Sequence, residues 1–190
     1  GVVTANQLHI PAGRPIDLQV SSADVIHSFW VPRLGGKIDM IPGRDNQIRL
    51  QADQPGIYRG QCSEFCGTQH SHMILHVQSH SEDDFAAWLS ARQTAQISPP
   101  AGPAGETFAA RCGTCHRVAG VSEGQRAPDL SDLGSRPTLG SGVLVNQPGA
   151  ILTWLREHQR LKPGNAMPLH DDIDPTHLQV IATWLEGLAP

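Results

Sequence analysis

The sequence has no long hydrophobic run. A membrane-spanning helix needs about 20 consecutive apolar residues, and no apolar stretch in these 190 residues approaches that length. No secretory leader is recognisable, and the chain begins at Gly1 without an initiator methionine. We therefore expect the chain to be a processed or truncated form.

The sequence also lacks a block of positive charge. Its 14 Lys and Arg and 18 Asp and Glu give a formal net charge of −4, spread evenly over both halves of the chain. A domain that binds nucleic acid usually carries a basic face or stripe, so no nucleic-acid partner is expected.

Cysteine is scarce, and its placement is informative. The four cysteines form two close pairs, Cys62 with Cys66 and Cys112 with Cys115. Two disulfides of a secreted protein are one interpretation of such pairs. A disulfide requires no neighbouring histidine, yet a histidine follows each pair closely. The pattern therefore favours metal or haem chemistry.

The stretch from Gln61 to Met73 is dense in soft metal ligands. Cys62, Cys66, His70 and Met73 offer two thiolates, an imidazole and a thioether. Structural zinc sites usually join two close cysteines to a distant second ligand pair, and a thioether is a poor zinc ligand, so copper is favoured. A mononuclear blue-copper site uses one cysteine. Two cysteines indicate a binuclear centre, which needs a second histidine from elsewhere in the chain.

Residues 1–80 show the alternation of apolar and polar residues that is typical of short β-strands. Strands are predicted around residues 16–20, 48–50, 57–58 and 74–77, and turns rich in Pro and Gly separate them. Short strands at this spacing predict an all-β sandwich or barrel. A helix is predicted over residues 82–94, with Ser81 as its N-cap.

Residues 97–104 are rich in proline and glycine and predict a linker between two domains, 1–96 and 105–190. Beyond the linker, apolar residues recur at helical spacing. Helices are predicted near residues 105–112, 150–161 and 175–188, with a long loop over 118–149.

The second domain contains the C-x-x-C-H pattern of covalent haem attachment at residues 112–116. In this pattern the two thiols of Cys112 and Cys115 add to the haem vinyl groups, and the adjacent His116 binds the iron. A thioredoxin-like redox pair or half of a zinc site needs no such histidine, and no βαβ pattern surrounds the motif. We therefore expect haem c.

Met167 is the expected second axial ligand of that haem, because a methionine on the iron raises the reduction potential of an electron carrier. It is the only methionine of the second domain and lies in a loop between Pro163 and Pro168. A buried core methionine is the alternative interpretation of this residue. Three histidines remain as alternative ligands: His158, His170 and His177.

Residues 105–190 as a whole resemble a small class I cytochrome c, which is an all-α fold. The resemblance implies that Pro128 offers its carbonyl to the axial histidine. It also implies that the first and last helices cross, with Phe108 and Trp184 in contact. Arg136 and Trp154 could reach the haem propionates, or they could be a surface charge and a core aromatic.

Residues 1–96 resemble the CuA domain of cytochrome c oxidase subunit II, a cupredoxin-like all-β sandwich. The resemblance rests on residues 8–13, 24–32, 37–44 and 61–73. The copper ligands that it implies are His27, Cys62, Cys66, His70, Met73 and the backbone carbonyl of Glu64. It also implies that the Glu64 carboxylate reaches a magnesium ion at the interface with the catalytic subunit.

Together the two domains resemble the subunit II of caa-type oxidases, which carry a fused cytochrome c. This implies a path from a donor, such as a cytochrome c or a quinol-oxidising complex, through haem c and CuA to subunit I of a haem-copper oxidase. It also implies the periplasmic face of a bacterial inner membrane, with the native membrane anchor outside this chain and no oxygen site within it. Two alternatives stay open: the corresponding subunit of a CuA-containing nitric oxide reductase, and a stand-alone soluble electron carrier or sensor.

Overall fold

The structure, a computed structural model, describes residues 1–189. Contacts divide the chain into two compact units, Asn6–Leu89 (the β unit) and Gly1–Ala5 together with the residues from Ser90 onward (the helical unit). This confirms the predicted order of an all-β part followed by a helical part. The domain bounds and the linker over residues 97–104 stay a prediction. None of the helices in the described residues is both long and apolar enough to cross a membrane.

The β unit is built from two sheets. Its strands are β1 (Gln7–Pro11), β2 (Ile16–Val20), β3 (His27–Trp30), β4 (Ile38–Met40), β5 (Asn46–Leu50), β6 (Gly56–Cys62) and β7 (Ile74–His80). The larger sheet has the order β1-β7-β6-β3-β4, and β2 pairs with β5 in the smaller one. Only β1 and β7 run parallel to each other; the other pairs are antiparallel.

The alternation of apolar and polar residues explains why β2 and β5 form the smaller sheet. In β2 the polar residues Asp17 and Gln19 are exposed, whereas the apolar residues between and beside them are buried or half-buried. In the antiparallel register Leu18 lies opposite Ile48 and Asp17 lies opposite Arg49, so each face of the pair is uniform. The core of the β unit includes the buried residues Ile10, Val31, Ala52, Tyr58 and Val77.

Four helices follow the strands: α1 (Glu82–Thr94), α2 (Pro103–Arg111), α3 (Ala150–Leu161) and α4 (Pro175–Glu186). The bounds of α1 and α3 are those predicted from the sequence. Helix α2 begins earlier than predicted because Pro103 takes the first helical position, where its missing N–H costs nothing. The N-cap Asp174 accepts a hydrogen bond from the backbone N–H of Thr176 (2.7 Å) and starts α4.

Aromatic contact joins the first and last helices of the helical unit. The rings of Phe108 on α2 and Trp184 on α4 meet edge to face, with their centroids 4.8 Å apart, which confirms the predicted contact. The long loop between α2 and α3 packs Val118, Leu130 and Leu139 into the same core. Its only regular structure consists of two small strand pairs, β8 (Arg117–Val118) with β9 (Ser122–Glu123) and β10 (Thr138–Leu139) with β11 (Leu144–Val145), and a short 3-10 turn.

Candidate metal and haem sites

Three neighbouring strands bring the predicted copper ligands to one end of the larger sheet. His27 is the first residue of β3, Cys62 is the last residue of β6, and Met73 directly precedes β7. Because β6 runs antiparallel to both β3 and β7, the end of β6 lies beside the starts of the other two. The ligand-rich loop is therefore the connection between β6 and β7.

The two cysteine sulfur atoms of this loop lie 3.8 Å apart. A disulfide bond is about 2.05 Å long, so the two thiols are close but not bonded. Cys66 is the hub of the cluster, because its sulfur lies 3.6 Å from His70 Nδ1 and 3.7 Å from Met73 Sδ. This arrangement contradicts a disulfide and fits a pair of thiolates that share their metal partners.

The Cys62 sulfur contacts the remaining two ligand groups. It lies 3.8 Å from His27 Nδ1 and 3.2 Å from the carbonyl oxygen of Glu64. All six predicted ligand groups therefore meet in one cluster, and the donor set of two thiolates, two imidazoles, a thioether and a carbonyl fits copper. Their roles as copper ligands stay a prediction.

Asp24 is a site residue that the sequence analysis missed. Its Oδ1 lies 3.0 Å from His27 Nε2, on the side of the ring opposite Cys62. Metal-bound histidines commonly donate their second N–H to a carboxylate, which fixes the ring orientation. The hydrogen bond with His27, helped by the Val25 backbone, lowers the pKa of Asp24 to about 2. An acid three residues before the proposed ligand was a readable signal.

The two thiols differ in acidity. Burial opposes ionisation of Cys62, but hydrogen bonds from the backbone of Glu64 and Ser28 and from His27 outweigh it and lower the pKa of Cys62 to about 7. Burial and the neighbouring Cys62 sulfur instead raise the pKa of Cys66 to about 11. Burial also tends to lower the pKa of His27, but the hydrogen bond with Asp24 prevails and raises it. A metal that binds here must therefore displace protons.

The Glu64 carbonyl joins the cluster, but its carboxylate does not. The side chain is exposed, and its carboxylate is not part of the group of ligand atoms formed by His27, Cys62 and Cys66 within the described residues. The Glu64 carbonyl and the Glu64 carboxylate could therefore bind two different metal ions. The magnesium role of Glu64 stays a prediction.

The haem-attachment motif follows the end of α2. The backbone N–H groups of Cys115 and His116 both donate to the Cys112 carbonyl, which forms a tight turn through the motif. His116 Nδ1 donates to the carbonyl oxygen of Pro128 at 2.7 Å, as predicted for an axial histidine. With Nδ1 bound in this way, Nε2 is the nitrogen that would hold the iron of a haem. Burial lowers the pKa of His116, which favours the neutral imidazole that can bind a metal.

A buried ion network holds the segment that carries Pro128. The carboxylate of Asp129 accepts hydrogen bonds from Arg117 Nη1 (2.6 Å) and the Ser131 N–H (2.8 Å), and it lies 3.7 Å from Arg92 Nη2. The side chains of Arg92 and Asp129 are each 2% exposed. The network fixes the residue next to Pro128 and thereby the carbonyl that orients His116.

Arg136 is buried, so its interpretation as a surface charge is wrong. Its guanidinium pairs with Asp132 and donates to the carbonyl of Asp129, which satisfies it inside the fold. Its positive charge helps to lower the pKa of His116, although less than burial does. A role of Arg136 toward the haem propionates stays a prediction.

Trp154 packs against the helical core and lies against Gly140. A Cβ atom at Gly140 would be 2.5 Å from the Trp154 ring, and the φ angle of +61° there also favours glycine. This contact fits the interpretation of Trp154 as a core aromatic. Its role toward the haem stays a prediction.

Hydrogen bonds clamp the loop of Met167. The Met167 N–H donates to Asn165 Oδ1 (3.1 Å), and Gln159 Nε2 donates to the carbonyl oxygens of Asn165 (2.8 Å) and Met167 (2.9 Å). Asn165 Nδ2 in turn donates to the carbonyl of Lys162 at 2.8 Å. The clamp holds Met167 half-buried against the helical core. Its role as an axial ligand of the haem stays a prediction.

The two parts of the chain match two known families. Residues 2–80 match the sequence profile described as cytochrome c oxidase subunit II, periplasmic domain, and residues 103–189 match that of cytochrome c. These matches confirm the predicted fold class, a cupredoxin-like sandwich followed by a cytochrome c domain.

Some known proteins are similar in sequence to nearly the whole chain, and others are similar to its first half only. Cytochrome c oxidase subunit 2 of Alkalihalophilus pseudofirmus is 33% identical and covers 99% of this chain and 56% of its own length. The same subunit of Schizosaccharomyces pombe is 52% identical over 84 residues, which are 44% of this chain and 34% of that protein. The chain thus spans about half the length of the first relative.

Similarity to solved structures covers part of the chain in the example that follows. The periplasmic domain of subunit II of cytochrome oxidase from Bradyrhizobium japonicum is 39% identical, with a TM-score of 0.45, over 47% of this chain and 64% of that one.

Proposed function

Because residues 2–80 belong to the periplasmic-domain family of cytochrome c oxidase subunit II and residues 103–189 to the cytochrome c family, we propose that the chain is the part of a haem-copper oxidase through which electrons enter. Haem c and a binuclear copper centre supply one-electron chemistry when they are bound. The path runs from an external donor to haem c, then to CuA, and then to subunit I.

One observation carries this proposal. The six groups implied as copper ligands converge from strands and a loop that are far apart in the sequence, in a chain that also contains a haem-attachment motif with its axial histidine held by Pro128. Because the two redox sites belong to one chain, the effective concentration of one site for the other is high, and electron transfer between them needs no diffusional encounter of two molecules.

Each set of residues has a distinct task in this proposal. Cys112 and Cys115 would attach the haem covalently, and His116 and Met167 would be its two iron ligands, which would leave no position for oxygen. The copper cluster is half-buried, which limits water at the metals and keeps reorganisation on electron transfer small.

We further propose that the Glu64 carboxylate holds a magnesium ion at the interface with subunit I. This proposal is supported by the exposure of Glu64 and by its backbone carbonyl, which lies 3.2 Å from the Cys62 sulfur.

We place the chain at the periplasmic face of a bacterial inner membrane. The donor is a cytochrome c or a quinol-oxidising complex.

Metal analysis with optical and EPR spectra tests the proposed function. We expect two coppers per haem and a mixed-valence copper signal of seven hyperfine lines, because one unpaired electron is shared by two equivalent copper nuclei. One zinc, or one copper with a four-line signal, would overturn the binuclear assignment. Full reduction of the metals without electron transfer to the purified catalytic subunit would favour the stand-alone carrier instead.

Copper uptake by the metal-free chain is expected to become tighter as the pH rises. The Cys66 thiol, with its pKa of about 11, stays protonated near neutral pH until the metal displaces its proton. That proton alone contributes about tenfold in affinity per pH unit, so we expect a rise of about a hundredfold or more between pH 6 and pH 8. The Cys62 and His27 protons steepen the dependence at its acidic end.

Anaerobic competition titrations measure this effect. Cu(I) is distributed between the reduced chain and a coloured chelator whose own affinity does not change over this pH range. An affinity that stays constant across the two pH units would show that the thiols are not the ligands.

A further inference from the structure

His170 is a buried imidazole without a hydrogen-bond partner within the described residues. The residue is 7% exposed, and neither of its ring nitrogens has a hydrogen-bond partner within the described residues. A buried polar group that makes no hydrogen bond costs stability, so it calls for a functional explanation. His170 lies three residues after Met167, on the segment that leads into α4.

Other side chains with nitrogen groups near this segment are each held by at least one hydrogen bond, although Nε2 of His158 has no partner in the described part of the chain. His177 Nδ1 is bonded to Thr107 Oγ1 (3.0 Å), and His158 Nδ1 is bonded to Asn165 Oδ1 (3.2 Å). Lys162 Nζ donates to the carbonyl of Gly140 at 2.9 Å, and its amine would also have to lose a proton before it could bind a metal. His170 can leave its place without breaking any such bond.

The surroundings of His170 give its ring room to move. It borders a cavity of about 240 Å³, with Leu155, Ile173 and Leu178 among the lining residues. The imidazole can therefore reorient without displacing packed side chains, which a close-packed interior would not allow.

Burial and the neighbouring charged groups favour the neutral form of the His170 ring. Burial lowers its pKa, the positive charge of Arg111 and the interactions with the His158 and His116 rings act in the same direction, and Asp172 opposes them. A neutral imidazole is the form that binds a metal ion. The influence of His116 also shows that the two rings lie within electrostatic reach of each other.

We propose that His170 is a second axial ligand of the haem, which takes the iron whenever Met167 leaves it. The proposal rests on the haem site inferred above. In the exchange the bond between iron and Met167 Sδ breaks, and a bond from iron to a ring nitrogen of His170 forms. No proton or electron is transferred, because a neutral thioether is replaced by a neutral imidazole.

The exchange has a consequence for electron transfer. A methionine ligand raises the reduction potential of a haem relative to a histidine ligand, so the form with two histidines is harder to reduce. A chain in that form accepts electrons poorly from a donor matched to the methionine form. The two ligands thus define a conducting and a resting state of the haem.

The test compares ligand variants of the full, haem-loaded chain. In Met167→Ala we expect a six-coordinate low-spin haem with the EPR pattern of two imidazole ligands and a lowered reduction potential. In Met167→Ala with His170→Ala we expect a high-spin haem. The double variant should bind added imidazole at least about tenfold more tightly, because it lacks a tethered competitor at an effective concentration of order mM.

His177→Ala in the Met167→Ala background is the matched control, and its haem should stay low-spin. A high-spin haem in Met167→Ala alone would overturn the proposal, as would a low-spin haem that survives the removal of His170. A haemochrome assay with pyridine first measures covalent haem in every variant. Absence of haem there contradicts the proposed function itself, so the two failures are distinguishable.

Discussion

Replacing Cys66 with serine is expected to abolish the binuclear copper centre and to leave at most one copper on the chain. The Cys66 sulfur is the group that contacts Cys62, His70 and Met73 together. A serine hydroxyl is a hard, weakly acidic ligand and cannot bridge two soft copper ions as a thiolate does. The remaining thiolate of Cys62, with His27 beside it, suits a single copper.

The measurement is copper content per haem together with the EPR spectrum. We expect the copper content to fall to half or less and any remaining signal to show four hyperfine lines instead of seven. The haem spectrum should stay unchanged, because Cys66 belongs to the β unit and the haem motif to the helical unit.

His72→Ala is the matched control for this change. His72 belongs to the same loop but is exposed, whereas His70 contacts the Cys66 sulfur. The His72 variant should keep both coppers and the seven-line signal. A Cys66→Ser chain that retains them as well would show that the cluster seen here is not the copper site.

Elements with a strong local period were predictable from the sequence. Helix α3 has its predicted bounds because Ile151 and Leu155 recur at helical spacing and are both buried in the helical core. The strands β2 and β5 follow from alternation in the same way. Such a pattern indicates which face of a helix or strand is buried, and it can be seen within one segment of the sequence.

Pairing between distant segments was not predictable. Strand β1 pairs in parallel with β7, and Gln7 lies opposite His76. Neither segment has a sequence feature that indicates its partner strand. The burial of Arg92 was equally hidden, because arginine at the end of a helix is normally exposed. Its partner Asp129 lies in another segment of the helical unit. Contacts of this kind depend on chain closure over long separations.

The types of ligand in the candidate sites were predictable from the sequence, but the residues that orient those ligands were not. The ligand atoms follow from residue chemistry and from resemblance to a known family. The groups that orient them, such as Asp24 behind His27 and Asn165 beside Met167, depend on three-dimensional placement. Both nevertheless lie close in sequence to the residue they orient, because Asp24 is three residues before His27 and Asn165 is two residues before Met167.

Asp129→Asn is expected to cost the helical unit more stability than any exposed charge change. Removing the carboxylate leaves the Arg92 guanidinium, 2% exposed, without a counter-ion. Breaking a buried ion pair by removing one partner costs about 3–5 kcal/mol, a large share of the roughly 5–15 kcal/mol that stabilises a typical domain. The partner Arg117 is 38% exposed, and water compensates for part of its loss.

The same network gives the stability of the helical unit a pH dependence. Burial works to raise the pKa of Asp129, but the hydrogen bonds with Ser131 and Arg117 outweigh it and lower the pKa. A carboxyl whose pKa is lower in the folded state contributes stability at neutral pH. That contribution disappears as the pH falls through the acidic range, because the unfolded chain then binds the proton more readily. The asparagine variant should therefore lose less stability on acidification than the native chain does.

Denaturant titrations at neutral and acidic pH measure both effects, with haem absorbance reporting on the helical unit alone, since a chain of two units need not unfold in one step. Asp172→Asn is the matched control. Its pair with Arg111 (2.8 Å) is exposed to water, which weakens such pairs, so its midpoint should stay close to that of the native chain. An Asp129→Asn chain that unfolds at the native denaturant concentration would mean that Arg92 finds water or another partner once the carboxylate is gone. The segment of Pro128 would then be held by its remaining bonds, chiefly the bond from Arg136 to the Asp129 carbonyl.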